Sequence, residues 1–126
     1  MRDYIHVVDL AKGHLAAFKV FNKFGFHAFN LGTGTGTSVL EIVDAFRKES
    51  GQEIKTEFAP RRDGDVAWMW CSPGFLVIKQ WYFNPFLAKA KEELGWEATQ
   101  NVNKMCADLW RFQRLNPQGY ADNNND

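Results

Sequence analysis

Charge of one sign is missing from this chain. Its 15 Lys and Arg are matched by 15 Asp and Glu, which leaves no formal net charge. A broad electrostatic footprint for nucleic acid or an anionic membrane is therefore excluded, although local arginine clamps are not. Cysteine is scarce as well. Cys71 and Cys106 form no CxxC pair, and with three scattered histidines they offer neither a metal site of recognisable spacing nor a disulfide framework. A reducing, cytoplasmic setting is expected. No apolar run approaches membrane-spanning length, and Met1–His6 lacks the apolar core of a signal peptide. What the chain does hold is 126 residues, enough for one compact domain, and 11 Phe, 5 Trp and 3 Tyr. Many of these aromatics crowd between Trp68 and Phe86.

The local pattern alternates short strands with helices. Tyr4–Val8 is rich in β-branched and aromatic residues and predicts a strand, or an extended lead into a helix. Asp9 stands where an N-cap belongs, and Leu10, Leu15 and Phe18 predict a helix to about Lys23, stopped by Gly25. His27–Leu31 predicts a second strand, which leads into Gly32-Thr33-Gly34-Thr35-Gly36-Thr37. Ser38 and Glu41 have the spacing of a capping box, opening a helix with Val39, Ile42, Val43 and Phe46 on one face. The loop reads G-x-G-x-G and not G-x-G-x-x-G, so it is a tight strand-to-helix turn and not a dinucleotide fingerprint. Ile54–Ala59 alternates and predicts a third strand. Asn84-Pro85 suits a helix start, with Phe86, Leu87, Ala90 and Leu94 as its apolar side and Gly95 as its end. Asn101 opens a last helix whose stripe is Val102, Met105, Cys106, Leu109, Phe112 and Leu115. The polar tail 121–126 is expected to be disordered.

The stretch with most chemistry is Ala59-Pro60-Arg61-Arg62-Asp63-Gly64-Asp65. Pro60 stiffens the approach and Gly64 allows a sharp turn. Arginine's planar fork matches phosphate oxygens, so one reading is a diphosphate clamp, with Asp65 turned to a sugar hydroxyl. The other is a surface turn with local ion pairs worth little.

Five stretches, in order, settle the choice through a resemblance. They are Arg2-Asp3-Tyr4-Ile5-His6-Val7-Val8-Asp9-Leu10-Ala11, Asn30–Gly36 with Ser38-Val39-Leu40, the Ala59–Asp65 turn, Glu93-Leu94-Gly95-Trp96, and Asn116-Pro117-Gln118-Gly119-Tyr120. Together they cover nearly the whole chain, which resembles the C-terminal region of the UDP-glucose 4-epimerases, extended short-chain dehydrogenase/reductases. The resemblance implies an α/β fold, a small C-terminal substrate-binding lobe of short strands and about four helices over residues 1–120. It also implies interconversion of UDP-glucose and UDP-galactose in galactose metabolism, through a tightly held NAD that takes a hydride from C4 of the sugar and returns it. By the same resemblance Arg2 and Arg62 contact the UDP phosphates, Asp65 bonds the uridine ribose, and Asp63 and Gly64 complete the turn. Asn30–Gly36 is no NAD fingerprint in that family.

The chain departs from the family pattern in two places. It has no Tyr-x-x-x-Lys: Tyr4 is followed four residues on by Val8, Tyr82 by Phe86 and Tyr120 by Asn124. Met1 precedes the Arg-Asp-Tyr motif directly, so the N-terminal Rossmann domain is expected to be absent. No NAD is then expected to bind this chain alone, and no catalytic residue lies within it. The candidate partners are the UDP sugar and an N-terminal epimerase domain or full-length subunit. Residues 72–83 form the second departure, an apparent insertion between the Gly-Asp turn and the Asn-Pro helix start. They are open to three readings: a strand covering bared surface, an apolar patch for a partner, or an unselected, poorly ordered insertion. A core normally completed by another domain predicts marginal stability or aggregation.

Overall fold

The computed structural model describes residues 1–23, 25–65 and 86–119. The 72–83 insertion, the Asn84-Pro85 helix start and the 121–126 tail lie outside them. Among these residues four α-helices run in chain order: α1 Val7–Lys19, α2 Val39–Ser50, α3 Phe86–Leu94 and α4 Val102–Leu115. A single 3₁₀ turn, Phe21–Lys23, follows α1. α2 packs along α4, and α1 touches α3.

Two helix starts follow their expected chemistry. Ser38 Oγ accepts the Glu41 N–H at 3.2 Å, and Glu41 Oε2 accepts the Ser38 N–H at 2.6 Å, so the capping box is complete. Asn101 Oδ1 accepts the Lys104 N–H at 2.9 Å. Gly51 closes α2 in the left-handed region, with φ +65°. The α1 start is a correction. His6, not Asp9, is the N-cap, its Nδ1 accepting the Val8 N–H at 3.1 Å. Since Nδ1 accepts, the ring hydrogen lies on Nε2, which donates to Asp108 Oδ2 at 3.1 Å. α1 also ends at Lys19, earlier than the expected Lys23.

The expected strands are a second correction. Among the described residues no strand forms, and residues 4–5, 27–31 and 54–59 are irregular. Val7 and Val8 belong to the first turn of α1, where they stand 70% and 47% exposed. A strand exists only where a partner edge takes its hydrogen bonds, and alternation in the sequence supplies no partner. Among the described residues the pairing is one antiparallel bridge, Arg2 with Thr37, at 2.9 and 2.8 Å. The segment at Ile54 is tied instead to α2, where Arg47 Nη2 donates to the Ile54 carbonyl at 2.8 Å.

Among the described residues the buried apolar members of the core are Ala45 on α2, Ala90 on α3, Cys106 on α4, and Trp96 just beyond α3. α1 turns Asp9 and Gly13 inward, one helical turn apart, while Leu15 and Phe18 face out. Gly13 is small for a reason: a Cβ there would lie 2.6 Å from Leu31 Cδ1 and 3.2 Å from Trp96 Cε2. Trp96 Nε1 donates to the Asp9 carbonyl at 3.0 Å. The Asp9 carboxylate, 1% exposed, accepts from the Thr99 and Gln100 N–H groups at 2.7 Å each and from the Thr99 hydroxyl at 3.1 Å. Burial alone would push this carboxyl up; the Gln100 and Thr99 donors, with the Lys12 charge, outweigh it and hold the carboxyl below its usual range. Of the expected α4 stripe, Cys106 is buried, whereas Leu109 and Leu115 are exposed. Phe21, Phe26 and Phe58 are at least 72% exposed, so these three rings are not consumed by the core.

Candidate functional site

The glycine loop is built around a carboxylate. Asp3 Oδ1 accepts the Thr33 N–H at 2.9 Å and its hydroxyl at 2.6 Å; Asp3 Oδ2 accepts the Gly34 N–H at 3.0 Å. Gly34 reaches this geometry at φ +75°, open to glycine at no steric cost. Backbone donors of the kind that cradle a pyrophosphate are thus turned on the protein's own anion. Beyond the loop, Arg2 is bridged to Thr37, which is buried and immediately precedes the Ser38 cap of α2.

The Arg-Arg-Asp-Gly-Asp stretch is a turn. The Asp65 N–H donates to the Arg62 carbonyl at 3.3 Å, and Gly64 takes φ +79°. Arg62 engages Asp65 with two donors, Nε to Oδ2 at 3.0 Å and Nη2 to Oδ1 at 3.2 Å. Arg61 donates to the Asp65 carbonyl. Arg2 reaches the same carboxylate from the far end of the chain, Nη2 to Oδ1 at 3.6 Å.

The structure therefore brings Arg2, Arg62 and Asp65 together, with Asp63 and Gly64 forming the exposed tip of the turn. Arg62 is 84% exposed, Arg2 35% and Asp65 30%. The Arg62 hydrogen bonds hold the Asp65 carboxyl below its usual range, partial desolvation opposing them and the charges of Arg62, Arg2 and Arg61 adding to them. Asp65 in turn pushes the Arg62 guanidinium up. Such an arrangement presents guanidinium donors near the surface and one acceptor between them, which suits a ligand carrying both anionic oxygens and hydroxyls. Sequence reasoning missed the roles of Arg61 and Asp3. An acidic side chain able to meet the free N–H groups of a Gly-x-Gly loop was the available signal for Asp3.

Among the described residues, no group of His, Cys, Asp and Glu is placed to hold a metal, and no helix is long and apolar enough to cross a membrane. Two shallow depressions, one beside α2 and α4 at Glu49, Trp110 and Arg114 and one at Thr33, Thr35 and Thr99–Asn103, are not lined by Arg2, Arg62 or Asp65.

No protein-family model matches the chain. Individual relatives do. A UDP-glucose 4-epimerase of Bacillus subtilis is 53% identical over 121 residues, spanning 95% of this chain and 32% of that protein. The Homo sapiens UDP-glucose 4-epimerase is 50% identical over 122 residues, spanning 96% and 31%. In structure, the Bifidobacterium longum UDP-glucose 4-epimerase, solved in complex with NAD+ and UDP, superposes with a TM-score of 0.76 at 42% identity over 94% of this chain and 31% of that one. The Stenotrophomonas maltophila enzyme, with bound NAD and a formylated UDP-arabinopyranose, gives 0.71 at 37% identity. The chain spans about a third of the length of the relatives it matches. Sequence and structure agree over nearly all of it, and the chain corresponds to the C-terminal region of the UDP-glucose 4-epimerases that it matches.

Proposed function

We propose that this chain is the nucleotide-holding part of a UDP-glucose 4-epimerase, which interconverts UDP-glucose and UDP-galactose in the cytoplasm. Arg2 and Arg62 bind the diphosphate, Asp65 the ribose, and Asp63 and Gly64 shape the turn that presents them. The observation that carries this reading is the convergence of Arg2 and Arg62, 60 positions apart, on Asp65. That convergence comes with a likeness to an enzyme whose solved complex contains UDP.

The chemistry at C4 of the sugar lies outside these residues. NAD supplies a hydride acceptor and donor in such an enzyme, but the Gly32–Gly36 loop has already spent its Thr33 and Gly34 donors on Asp3. A clamp that grips the nucleotide equally before and during reaction lowers KM without raising kcat. The chain alone is therefore expected to bind and not to epimerise. An N-terminal epimerase domain or a full-length subunit is its proposed partner, and the exposed faces at Leu15, Phe18 and Phe26 are available to be covered.

A second reading is a non-catalytic nucleotide-sugar-binding module. It is favoured by the fact that Arg2, Arg62 and Asp65 all belong to this chain and meet one another. Calorimetric titration of the chain with UDP-glucose tests both. Saturable binding lost in Arg62→Ala supports the clamp; a folded sample that binds nothing means the site requires the rest of the enzyme.

A further inference from the structure

The Arg2 guanidinium hangs from a backbone that is fixed on both sides, and the fixing residue is its neighbour. We infer that Asp3 is a positioning residue for Arg2, with the glycine loop as its socket; the inference rests on Arg2 being a phosphate ligand, as proposed above.

The Arg2–Asp3 segment is held to residues 33–37 by five hydrogen bonds. Two are the backbone bridge to Thr37, at 2.9 and 2.8 Å. Three end on the Asp3 carboxylate, from Thr33 N–H, Thr33 Oγ1–H and Gly34 N–H, at 2.9, 2.6 and 3.0 Å. Bonds to an ionised acceptor are about twice as strong as neutral ones and fix direction as well as distance. The socket matters because arginine is long. Its side chain has many rotamers to choose among, and its reach is reproducible only if its backbone is fixed. With the backbone fixed, the guanidinium lies beside Asp65 although the two residues are 63 positions apart. Asp3→Asn keeps the shape but faces an amide N–H₂ toward donors, so at least one of Thr33 N–H, Thr33 Oγ1–H and Gly34 N–H loses its acceptor. The segment is then free to shift, and a displacement of about 1 Å is enough to cost a positioned group most of its effect.

A merely structural Asp3 would lower stability without acting through Arg2, so the test is a double-mutant cycle. UDP affinity is measured by calorimetry on the full chain for wild type, Asp3→Asn, Arg2→Ala and the double variant, with melting followed in parallel. Thr33→Val, which removes the hydroxyl donor to Asp3 together with the acceptor of the Thr35 N–H and leaves Asp3 in place, stands in for Asp3→Asn should that variant fail to fold. Asp3→Asn is expected to weaken UDP binding about tenfold, the equivalent of one charge-assisted hydrogen bond. In the Arg2→Ala background it is expected to cost nothing further, while still lowering the melting temperature. An equal loss of affinity in both backgrounds, or none in either, overturns the inference. Arg62→Ala separates the two levels: if Arg62→Ala and Arg2→Ala both leave UDP binding intact, the nucleotide reading itself has failed and Asp3 has no ligand to position.

Discussion

Asp9 and Gln100 are joined across the fold by a 2.7 Å bond from the Gln100 N–H to a carboxylate that is 1% exposed. With Thr99 donating through both backbone and hydroxyl, this carboxylate fastens α1 to the segment that leads into α4. Removing it takes the acceptor from two backbone donors that meet it in a part-buried site. Asp9→Ala is expected to destabilise the chain by about 2–4 kcal/mol, read from urea unfolding midpoints.

The same group sets an acid limit. Its folded pKa is depressed from the ordinary 3.8, so the folded state binds fewer protons than the unfolded state in that range. Its stabilisation is complete above the ordinary value and is lost as pH falls toward the folded one. Below about pH 4 the wild-type midpoint should fall more steeply than that of Asp9→Asn, whose amide does not titrate there. Parallel slopes would mean that Asp9 contributes no proton linkage.

Gly13 should tolerate one carbon and no more. Leu31 is half-buried and able to turn aside, whereas Trp96, at 3.2 Å from the added Cβ, is pinned by its bond to the Asp9 carbonyl. Gly13→Ala gains about 1 kcal/mol in helix propensity and loses a similar amount to crowding, so its midpoint should stay near wild type. Gly13→Leu is expected to cost more than about 2 kcal/mol.

The Ser38 cap joins secondary structure to the site. Ser38→Ala removes the acceptor for the Glu41 N–H and should cost about 1 kcal/mol. Because Thr37 is the bridge partner of Arg2, hydrogen exchange at the Arg2 and Thr37 amides should speed up with it.

Cys106 is fully buried, and burial, helped by Glu49, pushes its thiol up. In a Cys71→Ser background the remaining thiol should react with a disulfide reagent only at the rate of unfolding, and quickly in urea. Fast native labelling would contradict the packing of α4 on α2.

Local chemistry was legible in the sequence, and distant chemistry was not. Ser38 with Glu41, Asn101, Gly51 and Gly95 each announce a helix end through groups within a few positions, and all mark one in the structure. Asp9 misled because its type and position suit a cap; what determines its place is Thr99 and Gln100, about 90 positions on. The expected strands failed for the same reason, since alternation tells which face is apolar but not whether an edge exists to pair with. At the site, the Arg62–Asp65 relation follows from a three-residue spacing across a glycine turn. The arrival of Arg2 came only with the family resemblance, and Asp3 with neither.

The Asp9 fastening also bears on where this chain is divisible. The carboxylate enters the fold near its beginning, and its backbone donors arrive only at Thr99 and Gln100. A product ending anywhere before Thr99 is thus not a shorter working version of the domain. It carries an interior charge with its answering amides removed, and a protease or a ribosome that stops there leaves a chain fit mainly for degradation.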